Sequence, residues 1–495
     1  MKKFKAIAIV LMLSMVFQTT FASACTGMYV GKDASKSGNT IIARSEDQGG
    51  GCYNNLFKVQ KRITKAGRYM KDTGENQKGF KVPLPKTTYK YTYVPNWTGD
   101  PEGEYPASCM NEYGLAVVGT ITAFSNDRYL ELDPMKQPGT GLREAILPAL
   151  IACQCKTSKG AVNKLANLLD RYGSEEGNIL FFSDKKEAWI FEIYGGHGYC
   201  AMKMPTDKVA VFGNQFNIGR VDKDDKDTYV FSDNLFDVMD EMGPVIEDGQ
   251  YNIVKTVGEE LGDYGNMRTW RGHQVLAPST AGSYSTNTYY DLFYKPDYKV
   301  SALDLMNLYR DRYQGTSYDM QLHPEYRPIG VTRQSNVHII ETFRDLPSDT
   351  CQLQWLTVGG AEGNVFIPAF SGITDTYKAY KVDGKSFNEN SAYFTFRKVS
   401  ALAQTDRDYL MDGVNKFYQA QEQKMYKEVY KKVKDIKKAY KKSKKSGRKY
   451  VTNYAKNLAK KQIANAKKLY KQLILVQIDN LNDRNGEQKT VFVAK

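Results

Sequence analysis

The chain has 495 residues, of which 41% are hydrophobic, and its mean hydropathy is −0.53. No apolar run after residue 24 reaches the roughly 18 residues that a membrane-spanning helix needs, so no transmembrane segment is expected. The net charge of +14 sits at one end: residues 405–495 hold 24 Lys and Arg against 9 Asp and Glu, whereas residues 1–404 hold 45 against 46. This balance argues against a nucleic-acid-binding body.

The first 24 residues have the layout of a secretory signal peptide. Three lysines among the first five residues precede an apolar stretch, and residues 22–24 (Ala-Ser-Ala) have the small-residue pattern of a cleavage site. The alternative is a buried first helix. We expect residues 1–24 to be removed and the mature protein to lie outside the cytoplasm, whether secreted, periplasmic or on the cell surface.

The body consists of strand-like runs grouped around helical segments. Two short strands are predicted between Cys25 and about Glu46, and residues 113–124 have the pattern of a buried strand. Amphipathic periodicity predicts two helices between Leu142 and about Tyr172. Further strand-like runs fall between residues 178 and 219 and between residues 336 and 372. This order is typical of a layered α+β fold.

The C-terminal segment has a different character. Apolar residues recur at helical spacing on both sides of a KKSGRK turn, and lysines fill the other positions: Val429, Val433, Ile436, Tyr440, then Val451, Tyr454 and Leu458. A basic helical hairpin is predicted, either as a solubilising appendage packed on the body or as an arm that binds an anionic cell-surface polymer. Since every candidate catalytic residue precedes it, we expect a chain ending near residue 410 to remain active.

Cys25 stands directly after the predicted cleavage site. Cleavage after Ala24 gives this one residue both a thiol, with an ordinary pKa of about 8.5, and a free α-amine, with an ordinary pKa of about 7.7–8.0. The amine can take the proton of the thiol directly or through one water. Cys25 therefore has the chemistry of an N-terminal nucleophile that carries its own base.

Two alternatives for Cys25 stay open. Residues 22–25 also resemble a bacterial lipobox, in which case lipid would block both the sulfur and the amine and leave a tethered binding protein. A papain-like pair of cysteine and histidine is the other alternative. The chain has four histidines: His197, His273, His323 and His338. His338 lies in an apolar strand pattern, which favours a structural role.

Six further cysteines remain once Cys25 is set aside, and they could form three disulfides or none: Cys52, Cys109, Cys153, Cys155, Cys200 and Cys351. The Cys-Gln-Cys spacing at residues 153–155 is too tight for a zinc knuckle without a second pair. We expect neither a metal site nor a cofactor.

The stretch CTGMYVGKDASKSGNTIIARSED (residues 25–47) closely resembles the start of the N-terminal-cysteine dipeptidases of the dipeptidase A type. These belong to the N-terminal nucleophile (Ntn) hydrolases, as do penicillin V acylases and bile salt hydrolases. Later motifs fit the same family in order: NEYGLAVVGT, DKKEAWIFEI, VAVFGNQFNIG, RTWRG and YFTFRKVSAL. The resemblance covers roughly residues 25–405 and leaves the Lys-rich tail outside the family pattern.

The resemblance implies roles for several residues. Cys25 would be the nucleophile, and Arg44 and Asp47 match the Arg-x-x-Asp of the family. Arg44 would favour the thiolate, and Asp47 would hold the α-ammonium beside the sulfur. An ordinary ion pair at a strand end is the alternative for these two.

The resemblance also implies an oxyanion site. Asn214 matches an asparagine that donates to the oxyanion, and the second donor would be a backbone N–H near Thr120 or Ile121. Arg268 and Arg271 both occupy positions where relatives keep an active-site arginine, and the sequence does not choose between them. A turn asparagine and surface arginines are the structural alternatives.

The resemblance further predicts a four-layer α/β/β/α sandwich of two antiparallel sheets, with the helical hairpin added. Residues 25–405 would form the catalytic domain and residues 406–495 the extension. The expected function is an exported cysteine-type dipeptidase or short-peptide hydrolase, activated by the signal cut alone. An acylase acting on a linear N-acyl amide is an alternative function, and a homo-oligomer is an open possibility for the assembly.

Overall fold

The computed structural model describes residues 25–48, 54–72, 79–99, 103–384, 386–482 and 491–494. The predicted signal peptide and Cys52 lie outside these ranges. The strands are β1 (Thr26–Val30), β2 (Thr40–Asp47), β3 (Asn54–Asn55), β4 (Lys58–Gln60), β5 (Ile63–Thr64), β6 (Tyr69–Lys71), β7 (Lys81–Pro83), β8 (Thr87–Thr88), β9 (Tyr91–Gly99), β10 (Gly103–Asn111), β11 (Ala116–Thr122), β12 (Asn178–Ser183), β13 (Ala188–Ile193), β14 (Tyr199–Lys203), β15 (Val209–Phe212), β16 (Arg220–Val221), β17 (Tyr229–Phe231), β18 (Ile246–Glu247), β19 (Gln250–Asn252), β20 (Gln334–Thr342), β21 (Gln352–Val358) and β22 (Ile367–Phe370).

The α-helices are α1 (Asp127–Leu132), α2 (Leu147–Ala152), α3 (Ser158–Tyr172), α4 (Leu235–Met242), α5 (Ile253–Val257), α6 (Asp263–Leu276), α7 (Ala302–Leu308), α8 (Ala392–Gln404), α9 (Arg407–Lys442) and α10 (Lys444–Asn482). Short 3₁₀ turns cover Ser348–Thr350 and Lys378–Lys381. Within the described ranges, no helix is both long enough and apolar enough to cross a membrane.

Two antiparallel sheets form the centre of the molecule. The first has six strands in the order β15-β1-β2-β20-β21-β22. The second has nine strands, with β17-β14-β13-β12-β11-β10-β9-β3 in order and β4 also paired with β9. The first sheet thus combines the first two strands of the chain with its last three, and β1 lies inside it between β15 and β2.

Alternation along the strands explains how the layers pack. On β1, Met28 and Val30 belong to the core on the outer face of the six-stranded sheet, whereas Tyr29 belongs to the core between the sheets. On β2, Ala43 faces outward and Ile42 faces the other sheet. Successive side chains of a strand point to opposite faces, so both faces of this sheet must be covered.

Three apolar cores separate four layers. The core between the sheets joins Ile42 and Ile340 to Phe181 on β12. A second core lies between the nine-stranded sheet and helices α2 and α3, and it includes Phe182 and Leu165. A third core covers the outer face of the six-stranded sheet with helices. The predicted α/β/β/α arrangement of two antiparallel sheets is confirmed.

The C-terminal helices α9 and α10 form the predicted helical hairpin, and they supply much of the outer layer. Their buried apolar residues belong to the third core: Leu410, Val429, Ile436, Val451, Leu458, Ala466, Leu469 and Leu473. The apolar seam that the sequence indicated is therefore packed on the six-stranded sheet, through β22 and α8.

Polar contacts fix the same hairpin to the body. Glu422 of α9 makes a buried ion pair with Arg310, with 2.6 Å between Arg310 Nη2 and Glu422 Oε1. Tyr430 donates its hydroxyl to Glu341 Oε2 at 2.6 Å. A chain ending near residue 410 would lose this layer and expose the sheet that contains β1. This packing argues against the expectation that a chain ending near residue 410 remains active.

Candidate active site

Cys25 immediately precedes β1 and is 1% exposed. The register of β1 with β2 pairs Thr26 with Ser45 and Gly27 with Arg44, and the Thr26 N–H also donates to Ser45 Oγ at 3.1 Å. The thiol therefore lies beside the end of β2, where the Arg-Ser-Glu-Asp stretch is found. The strand pairing alone brings together two segments that are about 20 residues apart in the chain.

Arg44 donates from Nη2 to Cys25 Sγ at 3.0 Å, and its side chain is fully buried. Its Nη1 forms an ion pair at 2.5 Å with Glu46 Oε2, which is buried as well. The other oxygen of that carboxylate, Oε1, lies 3.9 Å from Cys25 Sγ. Thiol, guanidinium and carboxylate thus form one buried triangle.

Burial raises the pKa of the Cys25 thiol to about 12, because the low-dielectric surroundings penalise the thiolate. The positive charge of Arg44 acts in the opposite direction, whereas the negative charges of Glu46 and Asp47 raise the pKa further. A hydrogen bond with the Asp47 backbone lowers it. The thiol is protonated at neutral pH in this arrangement, so the site needs a base before the sulfur can attack.

Asp47 ends β2 and is fully buried. Its carboxylate is ion-paired with Arg327, which comes from a loop 280 residues further along the chain. Burial raises the pKa of Asp47, and the nearby guanidinium groups of Arg327 and Arg268 oppose that shift. This acid is therefore part of a buried charge network, as well as being close to the thiol.

Arg268 connects the start of β1 to Asn214. Its Nη1 donates to the Cys25 carbonyl oxygen at 2.5 Å and to Thr26 Oγ1 at 3.0 Å, while its Nη2 donates to Asn214 Oδ1 at 2.9 Å. Burial lowers the pKa of Arg268 to about 9, and the charge of Arg327 adds to that effect. The guanidinium remains charged at neutral pH.

Arg271 has different partners. It makes a two-point ion pair with Asp311, at 2.8 and 2.9 Å, and donates to the carbonyl of Gln314. The structure therefore separates the two arginines between which the sequence did not choose: Arg268 contacts Cys25, and Arg271 anchors α6 to the loop that follows α7. The expectation that Arg271 belongs to the site is not supported by these contacts.

The residues predicted to form the oxyanion site lie near the C-terminal end of β11. Asn214 donates from Nδ2 to the carbonyl of Thr122 at 2.9 Å. The side chain of Ile121 packs on β1, since a Cβ on Gly27 would lie 2.6 Å from Ile121 Cδ1. The hydroxyl of Thr120 instead donates to Glu144 Oε2 at 2.5 Å. Asn214 and Ile121 thus adjoin β1, while the Thr120 side chain has a separate partner.

Each of the four histidines makes its hydrogen bond with a residue other than Cys25. Their partners are the Leu169 carbonyl for His197, the Asp291 carbonyl for His273, Glu325 for His323 and Asn336 for His338. His338 pairs with Arg44 across β2 and β20, and burial together with the charge of Arg44 holds its pKa well below the ordinary value. It is a neutral structural histidine, as its sequence pattern favoured.

The cysteines of the described ranges are outside any disulfide: Cys25, Cys109, Cys153, Cys155, Cys200 and Cys351. Among the described residues, no group of three or more His, Cys, Asp or Glu could hold a metal ion.

Three residues of the site were not singled out from the sequence. Glu46 is one of the interior residues of the Arg-x-x-Asp motif, so its position in the motif is the signal that could have drawn attention to it. Arg327 and Tyr264 have no such local signal. The ring of Tyr264 contacts the guanidinium groups of both Arg327 and Arg268, each 5.2 Å from its centroid.

A cavity of about 190 Å³ adjoins Asn214 and Tyr264. Its other walls include Phe124, Glu259 and Leu261. It combines aromatic surface with carboxylates at the side of the site that holds Asn214 and Arg268. A small, partly polar molecule would fit there.

The Cys25 thiol lies at the start of β1 and accepts a hydrogen bond from a guanidinium, an arrangement compatible with nucleophilic catalysis of hydrolysis. Residues 24–421 match the model of the family described as Peptidase family C69. The chain therefore belongs to Peptidase family C69 and is a peptidase that acts on peptide bonds.

The chain is also similar to individual known proteins. The chain is 29% identical over 429 residues to a probable dipeptidase B of Streptococcus pyogenes serotype M1, covering 82% of this chain and 85% of that one. It is 30% identical over 393 residues to dipeptidase A of Lactobacillus helveticus, covering 77% and 82%. A mutant form of conjugated bile acid hydrolase from Clostridium perfringens aligns at 10% identity over 70% of this chain and 92% of that one, with a TM-score of 0.28.

Proposed function

We propose that the protein is an exported dipeptidase in which removal of residues 1–24 makes Cys25 an N-terminal nucleophile. The observation that carries the proposal is the contact of 3.0 Å between Arg44 Nη2 and Cys25 Sγ at the start of β1. The dipeptide substrate is supported by the names of the relatives, which are dipeptidases from streptococci and lactobacilli. The cavity of about 190 Å³ beside Asn214 suits a substrate of that size.

The proposed reaction begins with transfer of the thiol proton to the free α-amine of Cys25. The sulfur then attacks the scissile carbonyl carbon, and the carbonyl oxygen becomes an oxyanion. Asn214 and a backbone N–H near Thr120 or Ile121 would donate to that oxyanion. Arg44 and the Asp47 backbone would stabilise the thiolate before it attacks.

The oxyanion then collapses and the peptide C–N bond breaks. The α-ammonium gives its proton to the departing amine, which leaves a thioester on Cys25. A water molecule, deprotonated by the same amine, attacks the thioester and releases the acid, and the thiol recovers its proton. The thiol pKa of about 12 explains why a base is required, and the histidines have other partners.

The test compares two forms of the enzyme: a mature chain that starts at Cys25 and the same chain with one added Met, both verified by intact mass. The added residue turns the α-amine into an amide, and we expect loss of the base to reduce turnover of dipeptides by about 10²–10⁴-fold. Full turnover by the extended form would show that the α-amine is not the base.

Two further measurements examine the alternatives. A panel of dipeptides and N-acyl amides distinguishes a dipeptidase from an acylase, since an acylase would prefer the second group. The mass of the chain recovered from its natural host distinguishes ordinary cleavage from lipid attachment at Cys25. A chain found with lipid on Cys25 would exclude both the nucleophile and the base.

We also propose that the helical hairpin of α9 and α10 retains the enzyme on an anionic cell-surface polymer. Residues 424–471 hold 19 Lys and Arg against 2 acids, and many of these lysines are exposed. Such retention would weaken as salt rises, because screening shortens the range of the charges. Removing the hairpin cannot test whether it retains the enzyme on a polymer, because the hairpin is part of the core and its loss would disturb the fold.

The proposed retention by the hairpin is tested by neutralising exposed lysines on its surface. Four exposed lysines of the hairpin are changed to Gln: Lys434, Lys438, Lys441 and Lys445. The matched control changes four exposed lysines of the body: Lys61, Lys186, Lys223 and Lys295. Retention on cell-wall preparations should fall in the first variant at low salt and stay unchanged in the control. Equal retention of both variants would contradict the proposal.

A further inference from the structure

Glu46 presents its two carboxylate oxygens to different partners. Oε2 is ion-paired with Arg44 Nη1 at 2.5 Å, and Oε1 lies 3.9 Å from Cys25 Sγ. Gln48 donates from Nε2 to the same Oε1 at 3.0 Å. The side chain of Glu46 is fully buried, so its negative charge is fixed beside the nucleophile in a low-dielectric environment.

A carboxylate in this position works against the chemistry expected at the sulfur. Its charge raises the pKa of Cys25 and offsets the help that Arg44 gives to the thiolate. The ion pair with Arg44 explains the position of Oε2, but it does not explain why Oε1 lies beside the sulfur. Oε1 accepts from the Cys25 thiol, and when the thiol gives up its proton a positive group of the substrate can take that place beside Oε1.

We propose that Glu46 binds the free α-ammonium of the substrate and thereby selects peptides with an unblocked N-terminus. In the first residue of a peptide, the amine nitrogen is two bonds, or about 2.5 Å, from the carbonyl carbon that is attacked. In a near-attack geometry the sulfur is about 3–3.5 Å from that carbon. These distances allow an oxygen 3.9 Å from the sulfur to come within hydrogen-bonding distance of the ammonium when both lie on the same side of the sulfur.

This inference rests on the proposed function, and it extends that function by naming the residue that distinguishes a dipeptide from an N-acyl amide. Glu46 would be a specificity-determining residue that contacts the substrate. Two other roles are distinguishable by experiment. Glu46 could only position Arg44, or it could hold the α-ammonium of Cys25 itself. Either role would affect every substrate to the same degree.

The experiment uses the mature chain that starts at Cys25, as wild type and as Glu46→Gln. The two substrates are alanyl-alanine and propionyl-alanine, which is the same molecule without the amino group. We measure kcat and KM for each pair. A charged hydrogen bond is worth about 1.5–3 kcal/mol, so E46Q should lose about 10- to 150-fold in kcat/KM on alanyl-alanine. Its kcat/KM on propionyl-alanine should change far less.

Glu46→Asp is the conservative variant. It keeps the charge that Arg44 requires and withdraws the carboxylate from the sulfur, so it should show a smaller loss that is still confined to alanyl-alanine. Asp also serves if E46Q does not fold, which thermal melting of each variant determines. Glu428→Gln, an exposed glutamate of α9, is the matched control and should leave both substrates unaffected.

The outcomes separate the inference from the proposed function. Equal losses on both substrates in E46Q and E46D would overturn the inference, because they indicate a positioning role. A wild-type enzyme that hydrolyses both substrates equally would overturn it too, while hydrolysis itself would support the proposed activity. A wild-type enzyme inactive on both substrates would overturn the proposed function and this inference together.

Discussion

The surroundings of the Cys25 thiol raise its pKa, so they favour the protonated thiol over the thiolate. Burial and two neighbouring carboxylates raise its pKa, whereas the Arg44 guanidinium and a backbone hydrogen bond favour the thiolate. A nucleophile of this kind depends on a base that is already in contact with it. In the proposed mature chain, that base is part of the same residue.

The first prediction at the residue scale concerns replacement of the Cys25 thiol. Cys25→Ser should lose at least about 100-fold in kcat on dipeptides, because a serine hydroxyl is far less acidic than a thiol. Its melting temperature should stay close to that of the wild type, since the change removes one buried sulfur without adding volume. Retained turnover by the serine form would rule out the thiol mechanism.

Asn214 carries the second prediction. Asn214→Ala should reduce kcat by about 10²–10³-fold with a small change in KM, as expected for loss of an oxyanion donor. The exposed Asn453, changed to Ala, is the control and should be neutral. If KM rises while kcat is preserved, then Asn214 binds the ground state, and its contact with Arg268 becomes the better explanation of its role.

At the scale of elements, a strand pair and the helical hairpin hold the site in place. The pairing of β1 with β2 fixes the thiol against Arg44, and helices α9 and α10 cover the opposite face of the same sheet. Glu422 of α9 accepts both from Arg310 and from the Phe366 N–H, so it ties the hairpin to the loop that precedes β22. The Lys-rich tail is a structural layer on its inner side and a charged surface on its outer side.

Breaking this connection should destabilise the fold. Glu422→Gln leaves the buried Arg310 without its counter-charge, and we expect it to lower the free energy of unfolding by about 3–5 kcal/mol in urea titrations. The exposed Glu428→Gln should change it by less than about 0.5 kcal/mol. Similar stabilities for the two variants would mean that the hairpin is attached more loosely than its packing indicates.

At the scale of the whole molecule, a buried acid between the two sheets makes the stability of the fold depend on pH. Glu192 on β13 is fully buried and accepts from the backbone of Asn217 and Ile218 and from the Tyr194 hydroxyl. Burial raises its pKa from 4.5 to about 7. The folded state therefore binds a proton more tightly than the unfolded state does, and the stability that this proton confers is complete below pH 4.5 and is lost as pH rises through 7.

Glu192→Gln should remove the pH dependence that this carboxyl group gives to the unfolding free energy. Whatever offset the amide introduces at pH 5, the difference in unfolding free energy between variant and wild type should shift in favour of the variant by about 2–3 kcal/mol by pH 8. Urea titrations at pH 5, 6, 7 and 8 measure the shift. Glu131→Gln, at an exposed carboxylate, is the control. A difference that stays constant with pH would contradict the raised pKa of Glu192.

Much of the fold and part of the site could be predicted from the sequence because they depend on local signals. Alternating and helical periodicities indicated both groups of strands, helix α3 and the C-terminal hairpin, and the resemblance of residues 25–47 to the dipeptidase family identified Arg44 and Asp47. The pairing of β1 with β2 follows from a short turn, so the contact of Arg44 with Cys25 was within reach of sequence reasoning.

The remaining features required the tertiary structure, because long-range contacts have no periodic signal. Arg268 and Arg271 have the same chemistry three residues apart, and only the packing of α6 directs one to Cys25 and the other to Asp311. Arg327 reaches Asp47 from a loop 280 residues away. The apolar seam of the tail predicted a hairpin, but whether that seam covers the central sheet or faces solvent depends on the surface it meets, and this only the fold decides.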